Sequence, residues 1–368
     1  MEKLAKLKER KEQIIARKEH YYPKYEKHLL NQYLEYKGNI RVFVRVRPIL
    51  SQDFKAYGGT QESFDVIQKA IQALNNSQLS IELEKSPPQT FNFDAVFGPQ
   101  STQDQVYAEV KHLIQSFLDG NDVSIFAYGQ TGSGKTYTMG TEMSKQTSQG
   151  NQGIIPRAVR QVFGEIQGRK DQVQEGQEEA KEAREDGMRV SVQEIYMDSI
   201  RDLLNLQNVI TQNNAISKYE PESITVTNEA QVFTLLRKAE NNRVVAETMC
   251  NERSSRSHSI LQIKLGKATL NLIDLAGSER LNTTKVEGDR QKETLAINKS
   301  LSALADVISA MKEGRFVPYR NSKLTQLLQI YLGSSSAKTL MIVNLNPISL
   351  NESLCSLRFA AKVNSCSA

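Results

Sequence analysis

Gly129-Gln-Thr-Gly-Ser-Gly-Lys-Thr136 has the spacing of a loop that grips phosphate, and its flanks decide how it is built. Before it runs Val123-Ser-Ile-Phe-Ala-Tyr128, apolar and β-branched like a buried strand; after it comes a segment able to be helical. In that setting Gln130, Thr131, Gly132, Ser133 and Gly134 bring successive backbone N–H groups onto phosphate oxygens. The helix N-terminus adds positive potential, Lys135 reaches the β and γ phosphates, and Thr136 can ligate magnesium. A merely glycine-rich turn is the bland alternative, and the preceding strand argues against it.

Four other stretches read as buried strands: residues 40–47, which stop at Pro48, and residues 190–196, 270–275 and 339–345. Helical patterns separate several of them. Residues 103–118 follow a capping box expected at Ser101 and Asp104, and residues 351–363 are opened by Ser349 and Glu352. Strands interleaved with helices predict an α/β fold, a central sheet flanked by helices on both faces. Residues 164–187 are nearly all charged or amide side chains and are expected to form a surface insertion.

The chain has 368 residues, 39% hydrophobic and 24% charged, which suits one large domain without an internal linker. Its first ten residues are charged where a secretory signal needs an apolar run, and no segment approaches the roughly 18 apolar residues of a membrane span. An intracellular protein is expected. Cys250, Cys355 and Cys366 show no metal-ligand spacing, alone or with the four histidines, so neither disulfide nor zinc is expected. Net charge is +5, and residues 1–38 hold ten Lys or Arg against six Glu, so most of the excess lies there. In that segment Leu4, Leu7 and Ile14 make a thin apolar seam, interrupted by Pro23. It reads either as a solvated helix or as the end of a coiled coil.

Hydrolysis would need a sensor of the terminal phosphate. Leu270-Asn-Leu-Ile-Asp274 is a strand ending in an acid, followed by Leu275-Ala-Gly277. Asp274 can hold magnesium through water, and the N–H of Gly277 can contact phosphate because no side chain blocks it. Standing alone, Asp274 could equally start a turn. Asn251-Glu-Arg-Ser-Ser-Arg-Ser-His258 packs hydroxyls and guanidiniums into eight residues, good material for gripping phosphate and water, although alone it could be a polar loop or a helix cap.

With these three motifs in this order, the sequence strongly resembles the motor domain of the kinesins over nearly all of residues 39–366, with residues 1–38 as a neck helix ending a coiled-coil stalk. Ile297-Asn-Lys-Ser-Leu-Ser-Ala-Leu304 and Val317-Pro-Tyr-Arg-Asn-Ser-Lys-Leu-Thr325 look like that family's filament-facing helices and loop. The resemblance implies the phosphate-loop nucleotidase fold of that family, with a mostly mixed central sheet. It implies ATP or ADP with Mg2+ as cofactors, and a microtubule-stimulated ATPase. Arg45, Arg47 and Pro48 would flank the adenine, with Tyr137 stacking on its other side. Asn251, Ser254, Ser255 and Ser257 would line the γ-phosphate and water pocket, with Thr136, Ser255 and Asp274 around the metal. Arg256 and Glu279 would form the salt bridge that closes the two switches, with Gly277 beside it. Lys285, Arg290, Lys292, Lys299, Arg320 and Lys323 would meet acidic tubulin.

Lys37-Gly-Asn-Ile-Arg-Val-Phe-Val-Arg-Val-Arg47 joins the charged segment directly to the first strand, as in the kinesin-14 group, whose neck precedes the motor. The resemblance therefore implies minus-end direction, a homo- or heterodimer through the N-terminal coiled coil, and a place on cytoplasmic microtubules and the spindle. It implies neither nucleic acid nor membrane as partner. The stop at Ala368 is read as a fragment of a longer protein. A non-motile, kinesin-like microtubule-binding subunit is the rival reading. A G protein is disfavoured because Asn298-Lys-Ser-Leu lacks the aspartate that reads guanine, and myosin by the short chain and its different loop glycines. Three departures from the family pattern stand out: residues 259–270 are short for the hairpin between the switches, Tyr196-Met-Asp replaces Tyr-Asn-Glu, and Ala305 replaces a glycine.

Overall fold

The computed structural model describes residues 38–56, 67–83, 86–141, 148–172, 187–211, 219–245, 255–280, 288–333 and 337–364, with Leu29 and Leu34. The chain divides into two units, Met1–Asn39 and Ile40–Ala368. The neck helix expected over residues 1–38 lies almost wholly outside the described residues.

The second unit begins with β1 (Ile40–Val46), α1 (Ser51–Ala56), β2 (Ile71–Ala73), β3 (Gln78–Ile81), β4 (Gln89–Asn92), β5 (Ala95–Phe97), α2 (Gln103–Leu118), β6 (Val123–Tyr128) and α3 (Lys135–Met139). It continues through α4 (Ile154–Gln172), β7 (Met188–Tyr196), β8 (Ser199–Asp202), β9 (Val209–Ile210), β10 (Ile224–Val226) and α5 (Glu229–Val245). Then come β11 (His258–Leu265), β12 (Ala268–Asp274), α6 (Asp289–Lys312), α7 (Lys323–Leu332), β13 (Lys338–Leu345) and α8 (Leu350–Asn364).

Ten strands make one mixed sheet in the order β5-β1-β13-β6-β12-β11-β7-β8-β9, with β10 also on β7; β2, β3 and β4 form a small separate sheet. β6 pairs in parallel with β13 on one side and β12 on the other, so it is central and covered on both faces. That position explains its unbroken apolar run. Val123, Ile125 and Ala127 point into a core with α2, α4 and α5, while Phe126 and Tyr128 point into a second core with α6, α7 and α8. The Tyr128 ring stacks on Phe359 of α8 at 4.0 Å between centroids.

Two local expectations are corrected, and a third feature, the short hairpin, is defined. The capping box of α2 is Thr102 with Gln105, one residue on from Ser101 and Asp104, because Thr102 is the last extended residue before the helix. The charged stretch after Gly164 is not all insertion, since α4 runs to Gln172; residues 173–186 lie outside the described set. The short hairpin is complete, with β11 and β12 paired from Ser259 opposite Asp274 to Leu265 opposite Ala268, leaving a two-residue turn. Met197 and Asp198 turn out to be the turn between β7 and β8, both at positive φ.

Candidate functional site

The parallel strands end at the phosphate loop. Gly129 sits at φ 141°, and a Cβ there would lie 2.3 Å from the Asn344 carbonyl of β13, so only glycine lets the loop leave β6 this close to its neighbour. From there the chain turns into α3, too short for a large helix dipole, which leaves the loop N–H groups and Lys135 as the main anion-binding elements.

Arg47 pins the loop from the side. Its Nε donates to the Gly132 carbonyl at 2.7 Å, Nη1 to Asp53 and the Pro48 carbonyl, and Nη2 to Asp53 and to Asn346 past the end of β13. All five donors of the guanidinium are thereby used. Arg45 is buried and donates to Gln103 Oε1 at 2.7 Å and to Thr138 Oγ1 at 3.0 Å; Thr138 passes a bond to Asn344 Oδ1 at 2.7 Å. Burial holds the Arg45 guanidinium below its usual pKa, and the Tyr137 phenol beside it partly offsets this.

A cleft of about 910 Å³ opens above the loop, within the size of small-ligand sites. Arg45, Arg47, Pro48, Thr131, Gly132, Gly134, Lys135, Thr136, Tyr137, Ser255 and Asp274 all line it. The expected base sandwich is corrected in one respect: the Arg45 guanidinium lies 5.3 Å from the Tyr137 ring centroid. A base between them would need two contacts of about 3.5 Å each, so Arg45 backs the ring instead of facing it.

At the phosphate end, Lys135 is buried and donates to the Gln130 carbonyl at 2.9 Å. Desolvation holds its ammonium below the usual lysine range, against the pull of Asp274 and Glu279. Asp274 Oδ2 accepts from Thr136 at 3.0 Å and from Thr141 at 3.2 Å. Desolvation pushes its carboxyl up, and Lys135 and Arg243 draw it down. Asp274 Oδ1, Ser133 Oγ and Gln130 Oε1 are buried with no hydrogen-bond partner among the described residues. A buried lysine, one carboxylate with a free oxygen, and two hydroxyls suit a magnesium ion that keeps water and phosphate as ligands. No group of three or more His, Cys, Asp or Glu able to hold a metal alone occurs among the described residues.

Both polar segments of the sequence converge here. Gly277 N–H donates to the Ser255 carbonyl at 2.6 Å, and Ser278 N–H to the Gly129 carbonyl at 3.1 Å. Asn251 and Ser254 lie outside the described residues. Ser257 is brought near but does not face the cleft. Its hydroxyl donates to Glu194 Oε1 at 2.7 Å and accepts from Arg243 at 2.6 Å, because the buried carboxylate of β7 needs donors. The Arg256–Glu279 pairing is likewise not the one found. Arg256 pairs with Glu293 of α6 at 2.7 Å, and Glu279 accepts from Thr131 N–H at 2.8 Å and from its hydroxyl at 2.6 Å.

His258 ties the segments to α6. Its Nδ1 accepts from Ala276 N–H at 3.0 Å, so Nε2 carries the proton toward Ser300 Oγ at 2.7 Å. Burial, with Lys135 and Arg243 nearby, pushes its pKa down to about 3.

Of the residues expected at a filament, Lys292, Lys299 and Arg320 are exposed, and Lys299 also reaches Asp198 at 3.6 Å. Arg290 falls in the first turn of α6, and Lys285 lies outside the described residues. Lys323 is corrected: it is 1% exposed, and its ammonium donates to the Thr211 and Ile210 carbonyls. Gln103, Thr138, Asn344, Asn346, Glu194, Arg243 and Glu293 were missed by sequence reasoning, since each lies outside the motifs and its contacts are set by the tertiary fold.

A kinesin motor domain family model matches residues 45–366. Kinesin-related protein 2 of Dictyostelium discoideum is 44% identical over 92% of this chain and 45% of its own length. The kinesin-like protein KIN-14N of Oryza sativa subsp. japonica is 43% identical, with the same coverage. The chain thus spans about half the length of these curated relatives. Among solved structures, a C-terminal motor and motor homology domain of Kar3Vik1, fused to a synthetic heterodimeric coiled coil, matches with TM-score 0.73 at 35% identity, covering 99% of this chain and 96% of that one.

Proposed function

The chain belongs to the kinesin motor-domain family, and from that premise we propose that it is a motor of the kinesin-14 type, which hydrolyses magnesium ATP in the cleft above Lys135 and couples the cycle to force on microtubules. The observation that carries this reading is the junction of the two switch segments beside the phosphate loop, with Gly277 bonded to Ser255 and Ser278 bonded to Gly129 of the loop. A terminal phosphate there would be felt at once by both switch segments.

In this reading the loop N–H groups and Lys135 hold the β and γ phosphates, and Thr136, Ser255 and Asp274 surround Mg2+ directly or through water. When the switches close, Gly277 N–H turns from the Ser255 carbonyl to the γ-phosphate and Arg256 meets Glu279. A bound magnesium supplies charge neutralisation and holds the phosphate chain. Lys292, Lys299 and Arg320 face acidic tubulin, an attraction screened over about 10 Å at 0.1 M salt. Minus-end direction, a dimer through residues 1–38 and a place on the spindle belong to the same proposal, which starts from the kinesin-14 names of the relatives and, for the dimer, from the heterodimeric coiled coil fused to the Kar3Vik1 neighbour.

The test is phosphate release with and without microtubules, joined to gliding of polarity-marked microtubules over the surface-held chain. Stimulated release with minus-end-directed motion is the expected result. Absence of both basal and stimulated release would overturn it in favour of a non-motile binding subunit, a reading opposed by the intact Lys135, Thr136, Arg256, Asp274, Gly277 and Glu279.

A further inference from the structure

Each half of the expected latch already has another partner. Arg256 Nη1 meets Glu293 Oε2 at 2.7 Å, with a quarter of the arginine side chain and 13% of the glutamate exposed. The other carboxylate oxygen of Glu293 is held by the Tyr196 hydroxyl, so Oε2 is aimed at the guanidinium. Glu279, for its part, spans the backbone N–H and hydroxyl of Thr131 in the phosphate loop. Its carboxylate folds back so closely over Gly277 that a Cβ there would lie 2.3 Å from Glu279 Oε2. Glu279 thus puts negative charge on the loop that is built to receive a phosphate.

Two carboxylates and one guanidinium make an exchange possible with little net change in pairing. A terminal phosphate on the loop would bring like charge beside Glu279 and compete for the same N–H donors, which frees Glu279 to seek a cation. The guanidinium that could meet it is occupied by Glu293. We propose that Glu293, oriented by Tyr196, is a positioning residue that holds Arg256 away from Glu279 until nucleotide phosphate and a shift of α6 release it.

The placement of Glu293 gives the exchange its meaning. It lies on α6, next in sequence to the exposed Lys292 and on the same helix as the exposed Lys299. Anything that pulls α6 relative to β7 and β11 strains the Arg256–Glu293–Tyr196 contact, since Tyr196 ends β7 and Arg256 precedes β11. Filament contact on α6 would then weaken the holding pair and favour the closed latch. Stimulation by filaments becomes the relief of a competing ion pair. This inference rests on the cleft being the nucleotide site, and it adds the residues that keep the unstimulated state open.

The test reads equilibrium affinity without filaments, so it does not depend on turnover. Affinities for ADP and for a non-hydrolysable ATP analogue are measured for the wild type, Glu293→Gln and Tyr196→Phe. Loss of the holding pair should raise affinity for the analogue by about tenfold in Glu293→Gln, with ADP affinity within about twofold of wild type. Tyr196→Phe, which keeps the charge and loses only its orientation, should shift the same ratio in the same direction by about threefold. A ratio unchanged or lowered in both variants would overturn the proposal. If Glu293→Gln binds both nucleotides weakly because it is damaged, the Tyr196→Phe ratio decides. A wild type that binds both nucleotides yet never releases phosphate, with or without microtubules, would sink the motor reading and leave this ratio to be judged by itself.

Discussion

The phosphate loop and the segments around Arg256 border the same sheet and are equally polar, yet they are held in opposite ways. Every donor of Arg47 is fixed on Gly132, Pro48, Asp53 and Asn346, and Arg45, Thr138 and Asn344 form a buried chain. The other region rests on carboxylates at its edges, Glu293 on Arg256, Glu279 on Thr131 and Asp198 on Lys299, contacts that can change partner. A site that must recognise the same phosphate in every cycle gains from fixed geometry, while a sensor needs two arrangements of similar energy.

The largest effect should come from the rigid side. Lys135→Met is expected to cut turnover by about 10³-fold, because the ammonium stabilises charge on the transferring phosphate. The same variant should make the empty protein more stable by about 1 kcal/mol, since a buried and desolvated ammonium gives way to an apolar chain of similar length. Turnover assays and chemical denaturation without nucleotide check the two halves. A loss of stability would mean that the Lys135 contacts outweigh its burial.

His258 joins the two regions and predicts a pH effect. Its folded pKa of about 3 lies below the ordinary 6.5, so the unfolded chain binds more protons between these values. Its contribution is present above pH 6.5 and lost as pH falls toward 3. Wild type should therefore lose about 2 kcal/mol more than His258→Gln between pH 6.5 and 4.5. Asp274, whose pKa is raised, works in the opposite direction, but it is common to both proteins and drops out of the difference. Equal slopes in urea titrations across that range would show that the imidazole is not held neutral.

Lys299 and Lys323, alike in charge and expected role, separate on exposure. Lys323→Ala should cost about 1.5 kcal/mol of stability, because it strips a donor from the Thr211 and Ile210 carbonyls, and leave the salt dependence of microtubule binding unchanged. Lys299→Ala should do the reverse, with a near-neutral melt and a shallower salt slope, as its side chain is 60% exposed. Matching salt slopes for the two variants would contradict the burial of Lys323.

The contrast between the regions also explains what the sequence could disclose. The strand 123–128 and the loop 129–136 were legible because strand, turn and helix are local, and because burial on both faces leaves an unbroken apolar run. The two polar segments were legible as motifs for the same reason. Their present partners were not, since Glu293 lies 37 residues from Arg256 and Thr131 lies 148 from Glu279. Nor does the sequence around Lys323 tell a buried ammonium from an exposed one; the deciding carbonyls arrive from residues 210 and 211. The register of the α2 cap was missed by one residue because Ser101, Thr102 and Asp104 are all competent caps, and only backbone geometry selects among them.

That cap supplies the smallest effect, and it asks whether the rigid side is rigid as far as its edge. Thr102 accepts from Gln105 N–H at 3.2 Å, and Gln105 returns a bond to Thr102 N–H at 2.9 Å, which fixes where α2 begins. One residue on, Gln103 is buried with its amide between Arg45 and the Tyr137 carbonyl. Thr102→Ala should cost about 1 kcal/mol, the usual worth of such a cap, with Gln105 left without its reciprocal partner. If the loop is held mainly by Arg47, Asp53 and Asn346, nucleotide affinity should stay within about twofold, below 0.5 kcal/mol. A fall of tenfold or more would show that the helix start, through Gln103 and Arg45, positions the cleft, and would extend the fixed region out to the first turn of α2.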